Sequence, residues 1–197
     1  DWAPEPDDAA TLIHLVRGNP PNAVPINKPA MDEARRISDQ LRTALGLPAR
    51  QPEAPLPRAE MLSAVVAAVP ELAYVRRAKR REALGNEGSE VKPAAESRFA
   101  DDAEAAVVFD QHAVPGKGTT DTVNLGTCMA PVTFETLAAQ GLGQLDHAEP
   151  EWNGEQVTVT ARRTYAGRTL TASPSAPEGE ALRAAVADLV LAGKLFE

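Results

Sequence analysis

Apolar and polar positions along this chain fall into two regimes. From residue 7 to about residue 70, apolar side chains recur at spacings of three and four; beyond that they come in short runs and alternating pairs. The segment DDAATLIHLVR, residues 7–17, opens with acids suited to a helix N-terminus and sets Leu12, Leu15 and Val16 on one side before Gly18 stops it. A proline-rich loop, GNPPNAVPINKP, follows. From Ala30 to Leu47, the spacing of Met31, Ala34, Ile37, Leu41, Ala44 and Leu45 predicts a second helix, closed by Gly46 and Pro48. Pro48, Pro52, Pro55 and Pro57 predict an extended spacer, and a third helix over about 58–69 ends at Pro70.

After Pro70 the pattern shortens. Leu72–Ala83 reads as a basic strand or strand–turn, Glu87–Pro93 and Arg98–Phe99 as weak strands, and Ala105–Asp110 and Thr122–Met129 as good ones. Pro131, at a first-turn position, opens a short helix over VTFETLAAQ that Gly141 closes. In GEQVTVTARRTY, Val157, Val159, Ala161 and Arg163 face opposite to Thr158, Thr160 and Arg162. Gly167 turns the chain into RTLTA, and a last amphipathic helix runs from about Glu178 to Leu191. The expected fold is α+β. A helical segment, 1–70, precedes a small OB-like β-barrel over 71–197 with an inserted short helix and a C-terminal helix. Periodicity leaves a β-sandwich open as well.

Composition narrows the chemistry. Hydrophobic residues make up 43% of the 197 but aromatics only 4%, so the core must be built from Ala, Val and Leu. No stretch approaches the roughly 18–20 uncharged apolar residues that span a bilayer, and the acidic start DWAPEPDDAA lacks the basic and apolar regions of a secretory signal. The lone Cys128 can form no internal disulfide, which fits a reducing compartment; a cytoplasmic protein without membrane partners is expected. With His14, His112 and His147 it cannot complete an ordinary Cys/His zinc site. The end at Phe196–Glu197 carries no terminal signal and suggests a fragment.

The stretch Pro115-Gly116-Lys117-Gly118-Thr119-Thr120 resembles the end of a phosphate loop. Gln111 stands where the first glycine of G-x-x-x-x-G-K-[ST] belongs, however, and Gly118 follows the lysine, so a flexible turn between strands is expected. Asp101, Asp102 and Glu104 read as a solvated turn rather than a converging acid–base pair, and Glu149 and Glu151 near Trp152 as another turn. Cys128, in LGTCMAP, reads as an inert thiol, and Ser173 and Ser175 lack a nucleophile elbow. No catalytic residue, metal ligand or cofactor site is expected within these residues.

One charge signal remains. The net charge of −8 argues against indiscriminate polyanion binding, yet Arg76, Arg77, Lys79, Arg80 and Arg81 place five cations within six residues. As a strand they divide into Arg77, Lys79, Arg81 on one face and Arg76, Arg80 on the other; as a helix, Arg76, Arg77, Arg80 and Arg81 form a stripe. Arg162, Arg163 and Arg168 could extend the patch. A charged sheet edge that blocks strand pairing accounts for the same run. Only Tyr74 and Tyr165 lie near it as stacking platforms, so binding would be backbone-directed and salt-sensitive.

From Met61 to Leu170 the chain resembles the C-terminal region of bacterial HrpB-type DEAH helicases. The stretches that carry the likeness are MLSAVVAAVPELAYVRRAKR, EALGNEGSEVKP, FADDAEAAVVFD, NLGTCMAPVTFETL and PEWNGEQVTVTARRTYAGRTL, in the family's order. Upstream, MDEARRISDQLRTALGL is similar to the end of the helicase ratchet domain through Arg36, Gln40, Leu41 and Leu45. The resemblance implies a non-catalytic accessory region. Its parent would be an ATP-dependent helicase whose two RecA-like lobes, with their ATP and Mg, lie outside these residues. The implied partners are RNA, those lobes and a further protein. Where the family's last hairpin carries consecutive arginines, this chain keeps Arg162, Arg163 and Arg168. A protein-interaction module without RNA contact, using Leu182, Val186, Leu189 and Val190 of the last helix, is the competing expectation.

Overall fold

A computed structural model describes residues 7–18, 25–49, 55–116, 122–147 and 150–195. Three helices come first: α1 (Asp8–Arg17), α2 (Lys28–Ala44) and α3 (Arg58–Ala68). Asp7 caps α1 by accepting from the Ala10 amide at 2.9 Å, and Asn27 caps α2 the same way through Ala30 at 3.2 Å. A single 3₁₀ turn, Pro70–Leu72, leads into the strands.

Five strands then close a barrel: β1 (Ala73–Arg76), β2 (Leu84–Gly85), β3 (Glu90–Pro93), β4 (Ala105–Pro115) and β5 (Thr122–Pro131), in the order β1-β2-β3-β5-β4. All pairings are antiparallel except β3 with β5, which is parallel. Alternation sorts the side chains of β1 and β4. Tyr74, Ala106 and Val108 meet Leu84, Val91, Met129 and Phe99 in a cluster drawn from all five strands, the barrel interior. Ala73, Val75, Ala105 and Val107 face outward and pack against Leu62 and Val66 of α3 and Leu137 of α4 (Phe134–Ala139). Gly126 is required by this crowding, since a Cβ there would lie 2.5 Å from Met129 Sδ.

The final strand pair departs from expectation. It does not belong to the barrel. β8 (Val157–Tyr165) and β9 (Arg168–Ser175) form a second sheet with two short strands, β6 (Gln144–His147) and β7 (Glu151–Trp152), which pair successive stretches of β8. The helix α5 (Gly179–Leu191) covers this sheet through Ala185 and Leu189, set against Val157 and Val159. Pro131 is also placed differently: it ends β5, and α4 starts three residues later behind a Thr133 cap. Arg98–Phe99 is not a strand, and Phe99 instead turns into the barrel interior.

Two polar devices fasten these parts together. The first is Asp7-Asp8. Asp8 accepts from Ser97 Oγ at 2.6 Å, from the Arg98 amide at 2.7 Å and from the Met129 amide at 3.2 Å, while Asp7 pairs with Arg58 of α3. These acids, which read from sequence as helix-dipole partners, are in fact buried and join two helices to the barrel. The second is the tip of the β8–β9 hairpin. Tyr165 Oη donates to the Ala73 carbonyl at 2.9 Å, and Arg168 Nη1 donates to the Arg76 carbonyl at 2.6 Å. The turn between them, Ala166-Gly167, has φ of 45° and 79°, the two positive angles of a tight hairpin.

Two stability measurements check this account. Asp8→Ala strands a buried amide, a part-buried amide and a hydroxyl, and is expected to lower the unfolding free energy by about 3 kcal/mol, read from urea denaturation. Ala166→Gly relieves a left-handed alanine and is expected to raise it by about 1 kcal/mol, less the extra freedom of the unfolded glycine.

Candidate nucleic-acid interface

The five-cation run is neither a long strand nor a helix. β1 ends at Arg76, and residues 77–83 form the turn into β2. The eight expected cations therefore separate by environment rather than by alternation.

Arg76 is internal, at 3% exposure. It donates from Nε to the Ala103 carbonyl at 2.7 Å, from Nη2 to the Ala100 carbonyl at 3.3 Å and from Nη1 to the Arg81 carbonyl, and it lies 5.5 Å over the Phe99 ring. Burial foremost pulls its guanidinium below its ordinary pKa, opposed by the charge of Glu104. Arg168 bridges the Arg76 carbonyl and Glu104, at 2.6 Å each, with its guanidinium 5.2 Å over Phe134. Arg163 donates to the carbonyls of Gly141 at 3.0 Å and Gly143 at 3.1 Å, bracing the turn after α4. These three arginines act as internal braces, and the expected surface patch loses them.

Arg77, Arg80 and Arg81 hold carboxylates. Arg80 Nη2 donates to Glu90 Oε2 at 2.6 Å and Arg77 Nε to the same oxygen at 3.3 Å; Arg81 Nη2 donates to Glu104 Oε1 at 2.6 Å. Hydrogen bonds from Arg168 foremost, and from Arg81, hold Glu104 below the usual carboxylate range despite its partial burial. The Arg77 side chain lies across Gly85, where a Cβ would come within 2.5 Å of its guanidinium. Lys79 and Arg162 are exposed, with no partner among the described residues. Arg162 faces Asp146 across the β6–β8 ladder, apart from the turn. The structure thus gathers Arg76, Arg77, Arg80, Arg81 and Arg168 around Glu90 and Glu104, and leaves Arg162 and Arg163 on the second sheet.

Neither tyrosine is a stacking platform. Tyr74 is buried with its hydroxyl 2.6 Å from Ser89 Oγ, and Tyr165 is buried on Ala73. Among the described residues the exposed aromatics are Trp152 at 42% and Phe109 at 37%. Alternation places Phe109 on the outward face with Ala105 and Val107, and beside it β4 and β5 slip register between Val108 and Asp110.

The other candidates stay apart. Asp101 and Asp102 are exposed in their turn, while Glu104, expected there as well, is drawn into the arginine cluster. Pro115 and Gly116 are described, but the rest of the phosphate-loop-like stretch, 117–120, lies outside the described residues, as does Glu149. Among the described residues no three His, Cys, Asp or Glu side chains converge to hold a metal, and no helix is long and apolar enough to cross a membrane. The Ser175 hydroxyl is used on the Val159 carbonyl at 3.2 Å. The chain matches no protein-family model and no curated protein.

Cys128 and Tyr165 yield a pH prediction. Burial foremost, with Asp8, Asp110 and Asp7 nearby, pushes the Cys128 thiol up to about 11, and burial pushes Tyr165 to about 12. Raised acids favour their neutral forms in the fold, so stability is full below the unfolded values near 9 and 10 and is lost as pH climbs through 11 and 12. The denaturation midpoint is expected to fall above pH 9, less steeply in Cys128→Ala. Iodoacetamide should label the folded thiol far more slowly at pH 8 than the unfolded one.

Proposed function

We propose that this chain is a non-catalytic C-terminal accessory region of a DEAH-type ATP-dependent RNA helicase. Its barrel would steady the nucleic-acid strand against ATPase lobes that are not among these 197 residues. The observation that carries the reading is the strand order β1-β2-β3-β5-β4 with β3 and β5 parallel, joined to a basic β1–β2 turn. That order is the one an OB barrel uses, and OB barrels present their β1–β2 and β4–β5 connections to oligonucleotides. Here the first connection holds Lys79, Arg80 and Arg81, and the second, residues 116–121, holds Lys117 in the sequence. The resemblance of the ordered stretches from Met61 to Leu170 to the helicase family supports the same reading.

A second reading, docking on the motor or on a partner, is favoured by α2. This helix has no buried residue, and Ile37, Leu41 and Leu45 stand exposed along a groove of about 870 Å³ shared with Leu12 and Val16 of α1. The two readings make different surfaces work, the barrel turn in one and the helical groove in the other.

Fluorescence anisotropy with a 12-nucleotide single-stranded RNA separates them. With three phosphate contacts and a slope of about −0.7 each, affinity should fall about twentyfold between roughly 50 and 200 mM salt. The combined variant Lys79→Glu, Arg80→Glu, Arg81→Glu should abolish the binding. Arg76 is left intact because its loss would disturb the barrel. Absence of binding at roughly 50 mM salt from both the wild type and Glu90→Gln would remove the RNA role, and a pull-down of the ATPase lobes lost in Leu41→Asp would favour the docking reading.

A further inference from the structure

We infer that Glu90 is a built-in phosphate mimic: its carboxylate occupies the β1–β2 turn and must be displaced before the turn can hold a nucleic-acid backbone. The inference rests on the reading above that this turn is where RNA binds.

The arginines here have two classes of acceptor. Arg76 and Arg163 donate to backbone carbonyls, and Arg168 and Arg77 each donate in part to one. Those acceptors are fixed by the fold, and no ligand can replace them without unfolding the strands that present them. Arg80 and Arg81 instead donate to side-chain carboxylates, and their side chains remain 61% and 63% exposed. Exposed ion pairs of this kind contribute little, because solvent screens them and two long side chains lose freedom to make them. A backbone phosphodiester meets the same planar donors with its two non-bridging oxygens, and a polyanionic strand releases counterions as it binds. Exchange therefore favours phosphate once a strand is present.

Glu90 is placed to compete. It sits on β3, directly across the β2–β3 ladder from Gly85, at 26% side-chain exposure. One oxygen, Oε2, receives both Arg80 and Arg77, so a single carboxylate holds two of the turn's cations. Glu104 holds the third, Arg81, but it also receives Arg168 and so helps dock the β8–β9 hairpin. The two acids thus differ in what their removal would do. Loss of Glu104 loosens the fold, whereas loss of the Glu90 carboxylate frees Arg80 and leaves Arg77 its bond to the Ala166 carbonyl at 3.4 Å. The Glu90 backbone carbonyl, which accepts from Asn124 Nδ2 at 3.2 Å, remains in either case. On a chain of net charge −8, such masking also limits indiscriminate polyanion binding.

The test compares the 197-residue wild type, Glu90→Gln and Glu155→Gln for anisotropy with the 12-nucleotide RNA over a salt series. Glu155 is an exposed acid in the β7–β8 turn, so the two variants change net charge equally. Glu90→Gln is expected to tighten binding about fivefold and to steepen the salt slope by about 0.7 for each phosphate gained, with Glu155→Gln close to wild type. Binding by Glu90→Gln alone would also support the mask. Wild-type binding with no gain in Glu90→Gln overturns the inference and leaves the RNA reading standing, as does an equal gain in both variants. Absence of binding in all three proteins overturns both. Matched urea midpoints confirm that the comparison is between folded chains.

Discussion

A guanidinium taken out of water must have its donors met, and at Arg76 this requirement organises one end of the barrel. Burying an unpaired cation is prohibitive, so the side chain is tolerable only where carbonyls converge on it. The carbonyls that do so come from Ala100 and Ala103, on the β3–β4 connection, and from Arg81 in the β1–β2 turn. Two loops far apart in sequence are thereby held to the end of a four-residue strand. The Arg76 backbone carbonyl then receives Arg168, which brings the second sheet to the same point. β1 is short, but its backbone and one side chain are shared by the barrel, both loops and the hairpin.

The scarcity of aromatics explains why polar clamps carry this role. The interior clusters are assembled mainly from Ala, Val and Leu, whose small surfaces contribute modestly and whose shapes do little to fix the angle between elements. Directional bonds supply the missing constraint. Asp8 sets α1 on β5, Asp7 sets it against α3, and Tyr165 sets the second sheet on β1. Each clamp joins elements separated by tens of residues, so none is visible as a local motif.

That separation accounts for what could be read in the sequence and what could not. Apolar spacing located α2 and α3 closely, and alternation located β8, because both signals are local. The register slip at Phe109 and the short strands β6 and β7 have no such signal; two to four residues carry no usable period. The order of elements, with a short helix before the final pair, reads as one barrel over 71–197, but closure is decided by the parallel pairing of β3 with β5, which no local pattern encodes. The cation run misled for a related reason. A charge cluster reads as a solvated surface unless its acceptors are known, and here they lie on residues 90 and 100–104. From sequence, Glu104 reads as part of a solvated turn with Asp101 and Asp102, and Glu90 as one residue of a weak strand.

The same run shows how one residue type takes opposed roles within six positions. What differs between Arg76 and Arg80 is the acceptor, not the cation. A carbonyl locked in the backbone makes its arginine part of the fold, with a removal cost set by unpaired buried groups. A carboxylate on a mobile side chain leaves its arginine exchangeable, with an energy small enough for an incoming anion to exceed. Sorting cations by acceptor, rather than by exposure alone, therefore divides architectural arginines from those free to meet a ligand. By that criterion the turn contributes Lys79 outright, and Arg80 and Arg81 by exchange.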